Sequence, residues 1–329
     1  MCFPSSLKKN VPKSAERSIS LPVFLAWLFL VLIFARTDWV YGASIIKDDR
    51  GKSFALPLSL KRVVSFAPSM TEILFALGKG DILAGRTNAC NYPPEAQGAQ
   101  VVGAYMRPDL ERVIALQPDM VLSTKSSVRK ALVDRLEHLG IPVFINDSRN
   151  IDQVFNSIIK VGRLLGAGEQ AKRLVNKLQI KRSHLHSILN VVEKPTVLFA
   201  VGVKPLFAVG GKSFMGALLR EAQSVNIAEG VPIPYPKFSM DEVFRRDPDI
   251  ILVLMKDCSS TESCLGTWMR YPSLNAVKNG RLYQVDADIV ARPGPRVIEG
   301  LEKLLGFLHP TVLTKTISEA EVFLQSQRK

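Results

Sequence analysis

Short continuous apolar runs along this chain alternate with stretches whose apolar residues recur at helical spacing. RVVSFA at 62–67 reads as a buried strand. Pro68-Ser69 breaks it, and Met70–Leu77 predicts a helix closed by Gly78. Ser69 or Thr71 can cap that helix, with Glu72 in its first turn, where the helix dipole favours an acid. Short strands are expected near 82–85 and 101–102, a helix over Leu110–Leu116 and a strand over Met120–Ser123. An amphipathic helix over Val128–Leu139 ends at Gly140, a strand covers Val143–Ile145, and a helix over 151–165 ends at Gly166. This alternation predicts a mostly parallel sheet. Residues 169–192 then run without Gly or Pro, with apolar residues at 171, 174, 175, 178, 185, 188, 189 and 192. That spacing predicts one helix, about 36 Å long at 1.5 Å per residue. After Pro195 the rhythm restarts with the strand TVLFAV and a helix over Ser213–Glu221.

One pattern occurs twice. LERVIALQPDMVL at 110–122 and MDEVFRRDPDIIL at 240–252 align position by position at one fixed offset. An acid meets an acid (Glu111, Asp241), Val113 meets Val243, and Pro118-Asp119 meets Pro248-Asp249. Each copy reads as a helix, a tight turn and a buried strand. The repeat predicts two similar α/β lobes, residues 43–168 and 194–329, joined by a connecting helix at 169–193. Two lobes imply a cleft, and clefts bind ligands.

The N-terminus changes the picture of where this body works. Residues 1–20 carry four basic residues and one acid, residues 21–34 are apolar throughout, and Gly42-Ala43 follows with Val40 three residues before the break. This reads as a signal peptide over 1–42, or a membrane tether where cleavage does not occur, and predicts a periplasmic or other extracytoplasmic body. The whole chain carries 43 Lys and Arg against 30 Asp and Glu, formally +13. The first 42 residues hold five bases and two acids, which leaves +10 on the remainder. Such a charge suits anionic ligands or simple solubility, and no nucleic-acid module is present. Cys258 and Cys264 flank SSTES and form a disulfide candidate for an oxidising compartment, leaving Cys90 alone. His138, His184, His186 and His309 lie mostly in polar, helix-like contexts, so no metal site is expected.

Chemistry-bearing motifs are few. VGGKS at 209–213 lacks the glycine a phosphate loop needs, since Leu206 stands there, and no Gly-x-Ser-x-Gly elbow occurs. Tyr92, Tyr105, Phe207 and Tyr235 all sit in loops stiffened by Pro or Gly, well placed to line a cleft with flat apolar walls. DADIVARPGPR at 286–296 sets Asp288, Arg292 and Arg296 in a stiff loop before the last helix, where an acceptor and two forked donors suit amides, carboxylates or phosphates.

RVVSFAPSMTEILFALG, CNYPPEA, LERVIALQPDMVL, the midchain helix, FSMDEVFRRDPDIIL and RPGPR occur in that order over about residues 62–308. Together they resemble the helical-backbone periplasmic solute-binding proteins that feed ABC importers of cobalamin, haem and siderophores. The resemblance implies two α/β lobes on one long helix, and capture of cobalamin or a related corrinoid without catalysis or a cofactor. It implies delivery to a permease and its ATPase in the inner membrane, by a monomer. It assigns ligand contacts to Pro68, Glu72, Tyr92, Phe207, Asp288 and Arg292. Tyr105, Tyr235 and Thr124 stand where the cobalamin binders carry tryptophans, so the aromatic cage departs from the pattern. The resemblance also assigns permease docking to Glu111 and Asp241. Haem, with Tyr105 or Tyr92 as axial ligand, or a ferric siderophore are the alternatives within the fold. An enzyme such as a tetrapyrrole chelatase would need a basic His or Glu facing the macrocycle, and the predicted cleft loops hold no His.

Overall fold

The structure, a computed structural model, describes residues 44–56, 58–189, 193–255 and 261–311. The expected leader over 1–42 and Cys258 of the expected Cys258–Cys264 pair lie outside them. Among the described residues no helix is long and apolar enough to cross a membrane.

A two-stranded sheet of β1 (Ser44–Lys47) and β2 (Ser53–Leu56) precedes the first lobe. That lobe continues through β3 (Val63–Ser65), α1 (Pro68–Ala76), β4 (Leu83–Arg86), β5 (Gln100–Val101), the small hairpin β6 (Gly103–Ala104) and β7 (Arg107–Pro108), and α2 (Leu110–Ala115). It ends with β8 (Met120–Thr124), α3 (Lys130–His138), β9 (Val143–Asn146) and α4 (Ile151–Leu164). Its sheet has the order β5-β4-β3-β8-β9, with every pairing parallel. Strands buried on both faces should be apolar throughout rather than alternating, and all residues of β3, β8 and β9 are buried.

The second lobe holds β10 (Thr196–Val203), β11 (Leu206–Ala208), α6 (Phe214–Glu221), β12 (Val225–Asn226), α7 (Met240–Arg246), β13 (Ile250–Met255), α8 (Thr261–Met269), α9 (Asn275–Lys278), β14 (Leu282–Asp286), α10 (Ala287–Val290) and α11 (Val297–Leu308). Its sheet runs β11-β10-β13-β14, with β12 also on β10, and only β11 is antiparallel. Between the lobes runs α5 (Gly168–Leu189), 22 residues and about 33 Å long. Its buried stripe, Ala171, Val175, Leu178, Leu185 and Leu189, packs on α4 from the first lobe and α11 from the second. One apolar cluster therefore runs through both lobes along this helix.

The twofold pattern of the sequence is also a pattern of bonds. Asp109 and Ser239, at equivalent positions of the two copies, are the N-caps of α2 and α7, each accepting from the backbone N–H of the following turn. Asp119 accepts from the backbone N–H groups of Lys61 and Arg62 at the start of β3, and Asp249 accepts from the N–H and hydroxyl of Thr196 at the start of β10. Each Pro-Asp thus ties its lobe's central strand to the one beside it.

One helix start departs from expectation. Helix α1 begins at Pro68 rather than Met70, because proline is suited to the first helical position, where its missing N–H costs nothing. Ser69 and Thr71 consequently lie inside the first turn and cap nothing; the Thr71 hydroxyl donates to Ser65 Oγ at 2.8 Å. Glu72 falls beyond the first turn, so the dipole does not account for it.

Candidate functional site

Both sheets point the carboxyl ends of their strands at one cleft of about 450 Å³. Open α/β sheets bind ligands there, beside the strand where the order reverses direction. In the first lobe that strand is β3, flanked by β4 and β8; in the second it is β10, flanked by β11 and β12 on one side and β13 on the other. Pro68 follows β3, Thr124 closes β8 and Asn146 closes β9. From the other lobe come Val201 of β10, Leu254 of β13 and Ala287, which follows β14.

The walls differ in chemistry. The first lobe offers mainly hydroxyls and amides, among them Thr124, Ser126 and Asn146, with the Asp147 carboxylate and the apolar Pro68 and Ala89 beside them. The second is mainly apolar, with Val201, Met215, Leu254 and Ala291, and carries Asp288 and Arg292 at one side. Tyr105 comes from the turn between β6 and β7, and Tyr235 from the loop before α7, so each lobe contributes one phenol. Tyr105 lies 3.4 Å, oxygen to oxygen, from the Ser126 hydroxyl. Tyr235 is 46% exposed at the mouth, yet crowding by the walls, and then the nearby Tyr105 phenol, holds its pKa above the ordinary value.

A clasp of charged side chains closes one side of the cleft. Glu72, 3% exposed, receives Arg292 at 3.1 Å and Arg296 through two bonds of 2.7 and 3.0 Å. Arg292 also reaches Asp288 Oδ1 at 2.6 Å and donates to Asn91 Oδ1 at 2.8 Å. Asn91 returns a bond from its amide to Asp288 Oδ2 at 2.9 Å. Glu72 and Asn91 belong to the first lobe, the other three to the second, so the network spans the lobes. Two acids meet two bases in it, which is what buried charges require. Burial acts to depress the Arg296 pKa, but the bonds and charge of Glu72 outweigh it and raise that pKa.

Six residues expected at a ligand site line the cleft together: Pro68, Tyr105, Thr124, Tyr235, Asp288 and Arg292. Three do not. Glu72 is buried beneath the clasp and bonded to arginines, so it holds the lobes together rather than facing the cleft. Tyr92 lies under the Arg296 guanidinium, 3.9 Å from ring centroid to carbon, where a cation–π contact occupies its face. Phe207 sits on the edge strand β11, bridged to Lys237, outside the cleft lining. Arg292 lines the cleft, but its donors are engaged by Glu72, Asp288 and Asn91. Sequence reasoning missed Asn91, Asp147, Ser148 and Met215. Asn91 carried a signal, its place beside Tyr92 in CNYPPEA; the others are single residues after strands or at a helix start, with none.

Glu111 and Asp241 both occupy the second position of a short helix, α2 or α7, exposed and without an ion pair among the described residues. No group of His, Cys, Asp and Glu among those residues could hold a metal ion.

This architecture is that of a bilobal solute binder, and comparison with known proteins agrees. The model of the family described as periplasmic binding protein matches residues 63–289. The chain belongs to that family and is a substrate-binding protein of the ABC-transporter kind. It is 30% identical over 272 residues to an uncharacterised ABC transporter substrate-binding lipoprotein, YvrC, of Bacillus subtilis, covering 80% of this chain and 85% of that one. It is 26% identical over 243 residues to a vitamin B12-binding protein of Vibrio parahaemolyticus, covering 74% and 87%. The fold matches the haem-binding protein RhuT of Roseiflexus, solved without ligand, with a TM-score of 0.71 at 22% identity, over 77% of this chain and 100% of that one.

Proposed function

We propose that this protein captures cobalamin or a related corrinoid in the interlobe cleft, outside the cytoplasmic membrane, and hands it to an ABC permease and its ATPase without catalysing a reaction. The observation that carries the reading is the unequal chemistry of the two walls. An apolar wall suits the face of a macrocycle, and a wall of hydroxyls and amides suits a fringe of neutral amides, which both donate and accept. At about 450 Å³ the cleft would grip part of so large a ligand and leave the rest at the mouth. Similarity to a vitamin B12-binding protein supports this choice.

Haem is the second reading, favoured by the two cleft phenols. Two features weigh against it. A raised Tyr235 pKa disfavours a tyrosinate at that one phenol, and Arg292, the only cation among the described lining residues, is engaged in the clasp rather than open to propionates. The test replaces Tyr105 and Tyr235 by Ala together and titrates cyanocobalamin. The expected result is at least tenfold weaker binding with unchanged thermal stability; wild-type affinity would remove the cleft assignment.

A further inference from the structure

The internal repeat carries one more pair than its acids. Three residues after each acid stands an exposed apolar side chain: Ile114, 38% exposed, after Glu111, and Phe244, 40% exposed, after Asp241. Side chains three apart on a helix are neighbours, about 5–6 Å between Cβ atoms. Each lobe therefore presents an acid and an apolar side chain as one small patch. Between them Val113 and Val243 are fully buried and fix which face looks outward. Of the other charges on these helices, Arg112 pairs with Asp109, while Glu242 is shared by Arg245 and Arg246 and leaves one positive charge over on α7. Glu111 and Asp241 stay unpaired among the described residues. The patches are similar rather than identical, since the Phe244 ring is also met edge-on by Tyr271 at 5.5 Å; at equivalent places on similar lobes they fit a partner that offers a similar socket twice.

We infer that Ile114 and Phe244 form an apolar half of the docking surface, each filling a pocket beside a cation on one of two equivalent subunits of the permease. This rests on the importer reading. The acids steer and orient, while burial of the two apolar side chains sets how long the complex lasts. The patches also lie close in sequence to the cleft. Tyr105 and Tyr235 precede α2 and α7 by five residues and obey the same offset, so the element that meets the ligand continues directly into the one that meets the partner.

The test compares Ile114→Ser with Phe244→Ser, and Glu111→Gln with Asp241→Asn, each pair as a double variant of the full chain. Binding to the cognate permease–ATPase complex in nanodiscs is measured at low and high salt, cyanocobalamin affinity by calorimetry, and self-association by sedimentation. The apolar pair should weaken docking at least tenfold, mainly through faster dissociation, with salt dependence and cyanocobalamin affinity unchanged. The acid pair should slow association and flatten the salt dependence. Docking unaltered by the apolar pair, while the acid pair weakens it, overturns the inference and leaves the importer reading intact. A wild-type chain that never binds the complex removes both. A wild-type dimer dispersed by the apolar substitutions also overturns the inference, because the patches would then meet a second copy.

Discussion

At the scale of single residues, burial decides which polar groups are structural and which are on offer. Glu72 resembles a ligand contact in sequence, yet it is buried under two guanidinium groups. Removing one partner of a buried ion pair costs about 3–5 kcal/mol, because the charges left behind have no water to replace it. Glu72→Gln is therefore expected to lower unfolding free energy by about that amount in a denaturant titration, well above the cost of changing an exposed acid such as Glu111. Asp249 makes a pH-dependent contribution. Partial burial acts to raise its pKa, but the bonds from Thr196 and the charge of Arg281 outweigh it and hold the carboxyl below its ordinary value. A depressed folded-state pKa stabilises the fold fully above the unfolded value, about 3.9, and the benefit is lost as pH falls through the lower value. The stability gap between wild type and Asp249→Asn should therefore be constant near neutrality and shrink below about pH 4, as measured by urea unfolding across pH.

At the scale of elements, α5 is held by packing and by one bridging cation. Gly162 of α4 faces Ala171 of α5, and a Cβ added at Gly162 would lie 2.4 Å from the Ala171 methyl. Gly162→Ala should force the helices apart and cost about 1–3 kcal/mol. Adding Ala171→Gly should recover part of that loss in a double-mutant cycle, since it removes the nearest clash and leaves the Ala167 carbonyl oxygen at 3.1 Å. Along the same helix Arg182 reaches Asp152 of α4 at 2.6 Å and also Glu221 of α6, so one side chain ties the strut to both lobes. Most of these elements were legible in sequence, because α4 and α5 have long apolar periods and Gly140 and Gly166, at φ +78° and +66°, end α3 and α4 where expected. The short strands β6, β7, β11 and β12 were not, because two or three residues carry no period. The clasp was legible only in part. Asp288, Arg292 and Arg296 stood out in their loop, but their partner Glu72 lies far upstream, in the other lobe, and reads locally as a helix-start acid. Burial and pairing between such distant parts of the chain belong to the tertiary fold, and no local pattern announces them.

At the scale of the molecule, two parallel sheets turn their strand ends to a shared cleft, while a continuous core, one long helix and a charged clasp hold the lobes in register. Such a frame predicts small lobe movement on binding, unlike binders joined by open hinges; radii of gyration with and without ligand should agree within about 1 Å. Corrinoid capture in the cleft is tested by a calorimetric and visible-absorbance titration of the purified protein with cyanocobalamin, cobinamide and haemin. Tight one-to-one binding of a corrinoid and no Soret shift with haemin are expected. Haemin bound with a tyrosinate-like spectrum, and no heat from either corrinoid, would contradict corrinoid capture.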